Sequence, residues 1–304
     1  MHFEDIRQRD ARTISFEFFP PASEKALERL RSKLDDFISL APSFVSITYG
    51  AGGSTRERTH DLVIELGQTG QVDPIPHLTC VRQSRAEVQA ILERYASAGI
   101  SNLLALRGDR PVDDDPGEPG EEEYAYAIDL VRHIRSFNES GIHPDPRGFG
   151  IGVAGFPEGH PETPNRLKQL AFLKEKVDAG AHWVTTQLFF DNASFYDWRE
   201  RCDLVGIHVP LVAGIMPITS MKSLHRMADL AAGTNFPARL QREIYRHQDD
   251  PGAVQKVGVE WAVEQCRDLL EQETDGIHFY TLNNSDVTME IFRSLGIEDA
   301  NALR

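Results

Sequence analysis

Glu17 stands among Phe16, Phe18 and Phe19 in the apolar stretch TISFEFFP, Thr13 to Pro20. A carboxyl in such a run lies in a filled interior or under a packed layer, and either setting strips it of water. A desolvated carboxyl is a candidate general acid near neutral pH. From spacing alone, a buried glutamate paired with Arg or Lys is an equal alternative. Arg107, Gly108 and Asp109 end another apolar run. There a guanidinium and an exposed N–H could meet an anionic ligand while the Asp109 carboxylate grips a heterocycle. A plain strand-end turn would use the same residues. Thr48, Tyr49, His77, Thr79, His160, Gln187 and Tyr280 recur in or just beyond similar runs.

Other chemistries find less support. His77 and His160 have no Asp or Glu cluster at ligand spacing, so no catalytic metal is expected. The segment GAGGST after the second run has no P-loop lysine and fails the dinucleotide pattern GxGxxG. No nucleophile elbow is present. Cys80, Cys202 and Cys266 are far apart and odd in number, which reads as buried free thiols in a reducing compartment. With 47 acidic against 32 basic residues, the net charge of −15 disfavours a nucleic-acid backbone or an anionic membrane as partner. The start MHFEDIRQRD is charged where a secretory signal would be apolar, and no run approaches the length of a membrane span. A cytoplasmic protein is expected.

These residues need a scaffold that gathers strand ends. Eight β-rich runs begin at Thr13, Phe44, Pro74, Asn102, Gly150, Trp183, Val209 and Gly276. Most are about 30 residues apart, the length of one strand-helix unit in a barrel. Their near-continuous apolar character suits parallel strands covered by helices. Helical spacing fills residues 23–39, with Ser23 as cap, 84–98, with Ser84 and Glu87 as a capping box, and 165–179. The interval from Pro217 to Gly276 holds more than one helix. Glycines at 99, 180, 206 and 276 mark turns before strands. The expected fold is α/β, a single (β/α)8 TIM barrel over residues 1–304, with a doubly wound open sheet as the alternative. The acidic, Pro- and Gly-rich segment Pro111 to Glu123 is expected to be a βα loop at the mouth, most simply an inert solvated one.

With the strand ends in view, the segments SFEFFPP, VSITYGAGGSTRERT, HLTC, LALRGD, FPEGHPE, LKEKVDAGA with TQLFFD, GIMPIT and HFYTLN occur in order over nearly the whole chain. This set resembles methylenetetrahydrofolate reductase, and the length is similar to the single-domain bacterial form. The resemblance implies FAD at the C-terminal ends of the barrel strands. It implies NADH or NADPH as donor and 5,10-methylenetetrahydrofolate as acceptor in a ping-pong cycle that feeds methionine synthesis. Self-association is left open. Glu17 matches the family's general acid, whose proton helps open the folate ring to a 5-iminium cation. Asp109 matches an aspartate contacting pterin and flavin. Gln187, Tyr280 and Leu282 match folate-binding positions. Thr48, Tyr49, Ala51, His77, Arg107, Gly108, Ala127, Phe156, His160 and Lys176 match flavin-binding positions. Gln169 stands where the family usually has an aspartate on the cofactor, and Phe172 where a polar residue is usual. Met221 replaces a common aromatic, and Asn284 a common basic residue.

Overall fold

The computed structural model describes residues 1–21, 23–49, 56–108, 124–231 and 233–303. Eight parallel strands follow the eight runs: β1 (Thr13–Phe18), β2 (Phe44–Ile47), β3 (Pro74–Thr79), β4 (Asn102–Leu106), β5 (Gly150–Gly155), β6 (Trp183–Thr186), β7 (Leu211–Ile215) and β8 (Gly276–Tyr280). Each pairs with the next, and β1 pairs with β8, with Glu17 opposite both Ser46 and Tyr280. The sheet closes into the expected (β/α)8 barrel rather than an open sheet.

Every strand stops short of its apolar run. The described residues at the ends of the runs, among them Phe19, Thr48, Gln187 and Thr281, follow the strands and form the C-terminal mouth where barrel enzymes place their chemistry. Gly276 is the first residue of β8 rather than part of the turn before it.

The helix layer is α2 (Glu24–Ser39), α3 (Arg56–Thr69), α4 (Arg85–Ser97), α5 (Ala127–Glu139), α6 (Arg166–Asp178), α7 (Asn192–Leu204), α8 (Met221–Leu230), α9 (Ala238–Arg246), α10 (Pro251–Glu271) and α11 (Ser285–Leu295). Ser23 caps α2 through the Ala26 N–H, and Ser84 with Glu87 closes a capping box on α4. Phe16 and Phe18 turn outward onto Phe37 of α2, with ring centroids 5.4 and 4.9 Å away. By strand alternation Thr13, Ser15 and Glu17 face the interior. Helices α8, α9 and α10 enclose a second apolar cluster around Leu224, Met227, Leu240, Ile244 and Val254, against which Tyr280 packs.

The N-terminal end of the barrel is closed by a helix that periodicity did not reveal, α1 (Phe3–Arg9). Its Phe3 stacks on Trp183 inside the barrel at 4.1 Å between centroids, and the Phe3 N–H donates to Asn102 Oδ1 at 2.7 Å. Seven residues with two buried apolar side chains are too few to register a helical period.

Candidate active site

At the opposite end Glu17 is 5% exposed, inside the barrel. Its Oε2 lies 3.4 Å from His77 Nε2 on β3 and 3.6 Å from His278 Nε2 on β8. Contact with His77, two strands away, is possible only across the interior. Among the described residues no Arg or Lys pairs with Glu17, the equal alternative; the neighbours are imidazoles. Burial holds the His77 pKa below its ordinary value; Glu17 opposes this shift and His278 adds to it. A neutral His77 does not pin the carboxyl as an ion pair.

His278 was not singled out by sequence. Its Nδ1 is 2.8 Å from Ser15 Oγ and its Nε2 is 3.3 Å from Ser46 Oγ, so two interior hydroxyls fix its ring. The available signal was the i, i+2 pairing of His278 with Tyr280 on one strand, which sends both to the same face. Tyr280 donates its hydroxyl to Thr186 O at 2.6 Å. A Cβ on Gly214 would stand 2.7 Å from Tyr280 Cε2, so only glycine on β7 lets the ring lie across it. Burial, and secondarily Glu17, drive the Tyr280 pKa well above its ordinary value, so the phenol keeps its proton. Leu282, exposed at the rim, has a left-handed backbone with φ of 50°.

A second arc runs along β4 to β6. Arg107 Nη2 meets Glu162 Oε2 at 2.8 Å, and Gly108 follows it out of the strand. Ala127 opens α5. Phe156 and His160 meet edge to face at 4.8 Å in the loop after β5. Lys176 Nζ reaches back to Ala154 O at 3.0 Å, and burial lowers its pKa to about 8. Gln187 Oε1 accepts from the Leu188 N–H at 2.9 Å. Ala51 and Asp109 lie outside the described residues, as does the segment Pro111 to Glu123.

The departures have structural uses. Gln169 donates to His160 O at 3.2 Å and to Thr163 O, closing the loop that carries His160. Phe172, one helical turn on, is half exposed. Met221 opens α8 and packs on the second cluster, while Asn284 precedes α11.

Among the described residues, Thr48 Oγ1, His77 Nε2 and Gln83 Oε1 are three of the buried polar atoms without a hydrogen-bond partner. All three residues sit on or just after β2 and β3. Buried polar groups are normally satisfied, and a polar ligand at the mouth would satisfy these three. Among the described residues no group of His, Cys, Asp or Glu could hold a metal ion, and no helix is long and apolar enough to cross a membrane.

The family model described as methylenetetrahydrofolate reductase matches residues 2–296. The chain is 36% identical to the 5,10-methylenetetrahydrofolate reductase of Escherichia coli, over 93% of this chain and 90% of that protein. It is 38% identical to methylenetetrahydrofolate reductase (NADH) 1 of Arabidopsis thaliana over 99% of its own length, but spans only 51% of that relative. Among solved structures, a Clostridium thermocellum protein whose description has it binding two copies of 5-methyl-5,6,7,8-tetrahydrofolic acid aligns with a TM-score of 0.66 and 13% identity, over 98% of this chain and 99% of that one. A tryptophan synthase alpha-subunit from Pyrococcus furiosus aligns at 0.51 with 12% identity, over 94% of this chain and 98% of that one. Identities this low speak for the barrel fold alone.

Proposed function

The chain belongs to the methylenetetrahydrofolate reductase family, and we propose that it reduces 5,10-methylenetetrahydrofolate to 5-methyltetrahydrofolate with NADH or NADPH through bound FAD. The product would feed methionine synthesis, and residues 1–304 would act as one cytoplasmic catalytic barrel. The observation that carries this reading is the Glu17 carboxyl, buried at the mouth between His77 and His278.

A flavin fits the residues present. The orphaned Thr48, His77 and Gln83 atoms belong to residues on or after β2 and β3, and Arg107, His160 and Lys176 follow along β4, the loop after β5 and α6. Thr48, Tyr49, Ala51, His77, Arg107, Gly108, Ala127, Phe156, His160 and Lys176 are the residues that would hold it. What bound FAD supplies is storage of two electrons between nicotinamide and folate.

The chain itself supplies a proton and a shape. Glu17 would hold a proton on its carboxyl and deliver it to the folate, aiding ring opening to the iminium cation that accepts hydride. Neutral His77 and the hydroxyl-bound His278 keep the carboxyl in place without an opposing positive charge from His77. Gln187, Tyr280 and Leu282 would seat the folate. Asp109 would supply the counter-charge for the cationic intermediate.

Anaerobic mixing tests the reading. NADH should bleach the flavin absorbance, and methylenetetrahydrofolate added next should restore it with formation of 5-methyltetrahydrofolate. A purified protein that binds the folate but shows neither change would instead be a folate-binding barrel without reductase activity.

A further inference from the structure

We propose that Asn283 and Thr281 are positioning residues for Glu17, a clamp that joins the end of β1 to the loop after β8. The inference rests on the reading of Glu17 as proton donor. The Thr281 hydroxyl donates to Glu17 O at 2.6 Å and accepts from the Asn283 N–H at 3.1 Å. The Asn283 amide then spans the gap. Its Oδ1 accepts from the Phe19 N–H at 2.9 Å, and its Nδ2 donates to Phe19 O at 3.0 Å. Turning the amide over would face oxygen to oxygen and nitrogen to nitrogen, so the pair also fixes the side chain's orientation.

Three bonds from one short loop thus hold the backbone at Glu17 and at Phe19, on either side of the point where β1 ends. The loop accepts strain to do so. Leu282 and Asn283 both take left-handed φ, 50° and 59°. Asn tolerates that region and Leu rarely does, and such backbones persist only where surrounding contacts enforce them. Two consequences follow at the mouth. The backbone fixes where the Glu17 carboxyl sits against His77 and His278, and it sets Phe19 and Leu282, both exposed, on one rim.

The test is kinetic. Asn283→Gly keeps the left-handed backbone and removes the amide. Thr281→Val removes the hydroxyl, while Thr281→Ser retains it. Asn283→Gly and Thr281→Val should slow the folate half-reaction about 10- to 100-fold, the scale of a reacting group displaced by about an ångström. Reduction of the flavin by NADH should keep its rate, and Thr281→Ser should behave as the parent. The alkaline limb of the folate pH profile, where a proton donor is lost, should move in both slow variants, because His77 on β3 and His278 and Tyr280 on β8 surround the carboxyl being displaced.

In a Glu17→Gln background, adding Asn283→Gly should cost nothing further, since the clamp acts through Glu17. An equal fall of both half-reactions, or full additivity with Glu17→Gln, would overturn the clamp. If Asn283→Gly does not fold, the Thr281→Val and Thr281→Ser pair carries the same comparison. Loss of the folate rate in Glu17→Gln with none in the clamp variants rejects the clamp alone. An unaffected Glu17→Gln instead rejects the proton assignment on which the clamp rests.

Discussion

Glu17 and His77 meet across the barrel interior at 3.4 Å although β2 separates their strands. Both partners stand on strands, and no helix takes part in the contact. It follows from two strands presenting alternate residues inward at the same height, so substitutions at Glu17 can be made without disturbing the surrounding helix layer.

Glu17→Gln retains size and hydrogen-bonding capacity but removes the transferable proton. Flavin reduction by the nicotinamide should survive, and flavin reoxidation by methylenetetrahydrofolate should fall by roughly 10² to 10⁴, the usual contribution of general acid catalysis. Stopped-flow measurement of the two half-reactions separates these effects. Folate turnover close to the parent rate would remove Glu17 from the mechanism.

Gln169 changes the expectation for its own substitution. Beside a cofactor, an aspartate here would look like a restored contact. Yet the Gln169 Nε2 is already bound to His160 O and Thr163 O. Aspartate has no donor to offer them and brings negative charge toward two carbonyl oxygens. Gln169→Asp should therefore destabilise the protein by about 1–3 kcal/mol, the range for two lost hydrogen bonds. FAD retention on gel filtration should not improve. Thermal melts with and without added FAD measure both, and tighter FAD retention at unchanged stability would reverse the assignment.

Acid should loosen the closed end of the barrel. His182 Nδ1 accepts from the Ile151 N–H at 3.0 Å and His2 Nδ1 from the Glu4 N–H at 3.3 Å, so neither nitrogen can take a proton while folded. Burial holds both pKa values below the ordinary 6.5. The unfolded chain therefore binds more protons below that pH, and stability falls as pH drops through this window. Asp145 contributes lower down. Its hydrogen bonds to Arg147 hold its pKa at about 2, so its share is present above the ordinary 3.8 and is lost as pH falls from there toward 2. Melting temperature should decline between about pH 7 and pH 5, and His182→Asn, which keeps an acceptor, should flatten that decline. An equal slope in the variant would assign the loss elsewhere.

Much of this architecture was legible because its signals are local. All eight strand runs stand where alternation of apolar runs and helical periods placed them, and Ser23 and Ser84 cap the helices they precede. Glu17 was legible because a carboxyl among phenylalanines has no solvated alternative in a strand. What escaped was what depends on closure. Glu17, His77 and His278 are far apart in sequence, and only a barrel of eight strands brings them together. The Asn283 clamp escaped for a similar reason, since an Asn in a polar loop carries no mark of its partner at Phe19. The plug escaped because α1 is short and its partner Trp183 begins a strand that otherwise reads as an ordinary apolar run.

Trp183 offers the sharpest test of the closed end. Its indole lies inside the barrel, stacked on Phe3, with Nε1 3.2 Å from Thr185 Oγ1. The room comes from β5, where a Cβ on Gly152 would fall 2.3 Å from Trp183 Cε2 and Cζ2. Both residues are held by strand pairing, Gly152 opposite Trp183, so neither can retreat far. Gly152→Ala should therefore destabilise by about 1–3 kcal/mol or more, as overpacking of a filled core does. Trp183→Phe removes the ring that collides and leaves a void, so alone it should also destabilise. Combined, the two changes should cost clearly less than their sum, because the added methyl enters the space the indole vacates. Thermal melts of the two single variants and the double variant measure the coupling. Simple additivity would mean that Gly152 and Trp183 do not share that space.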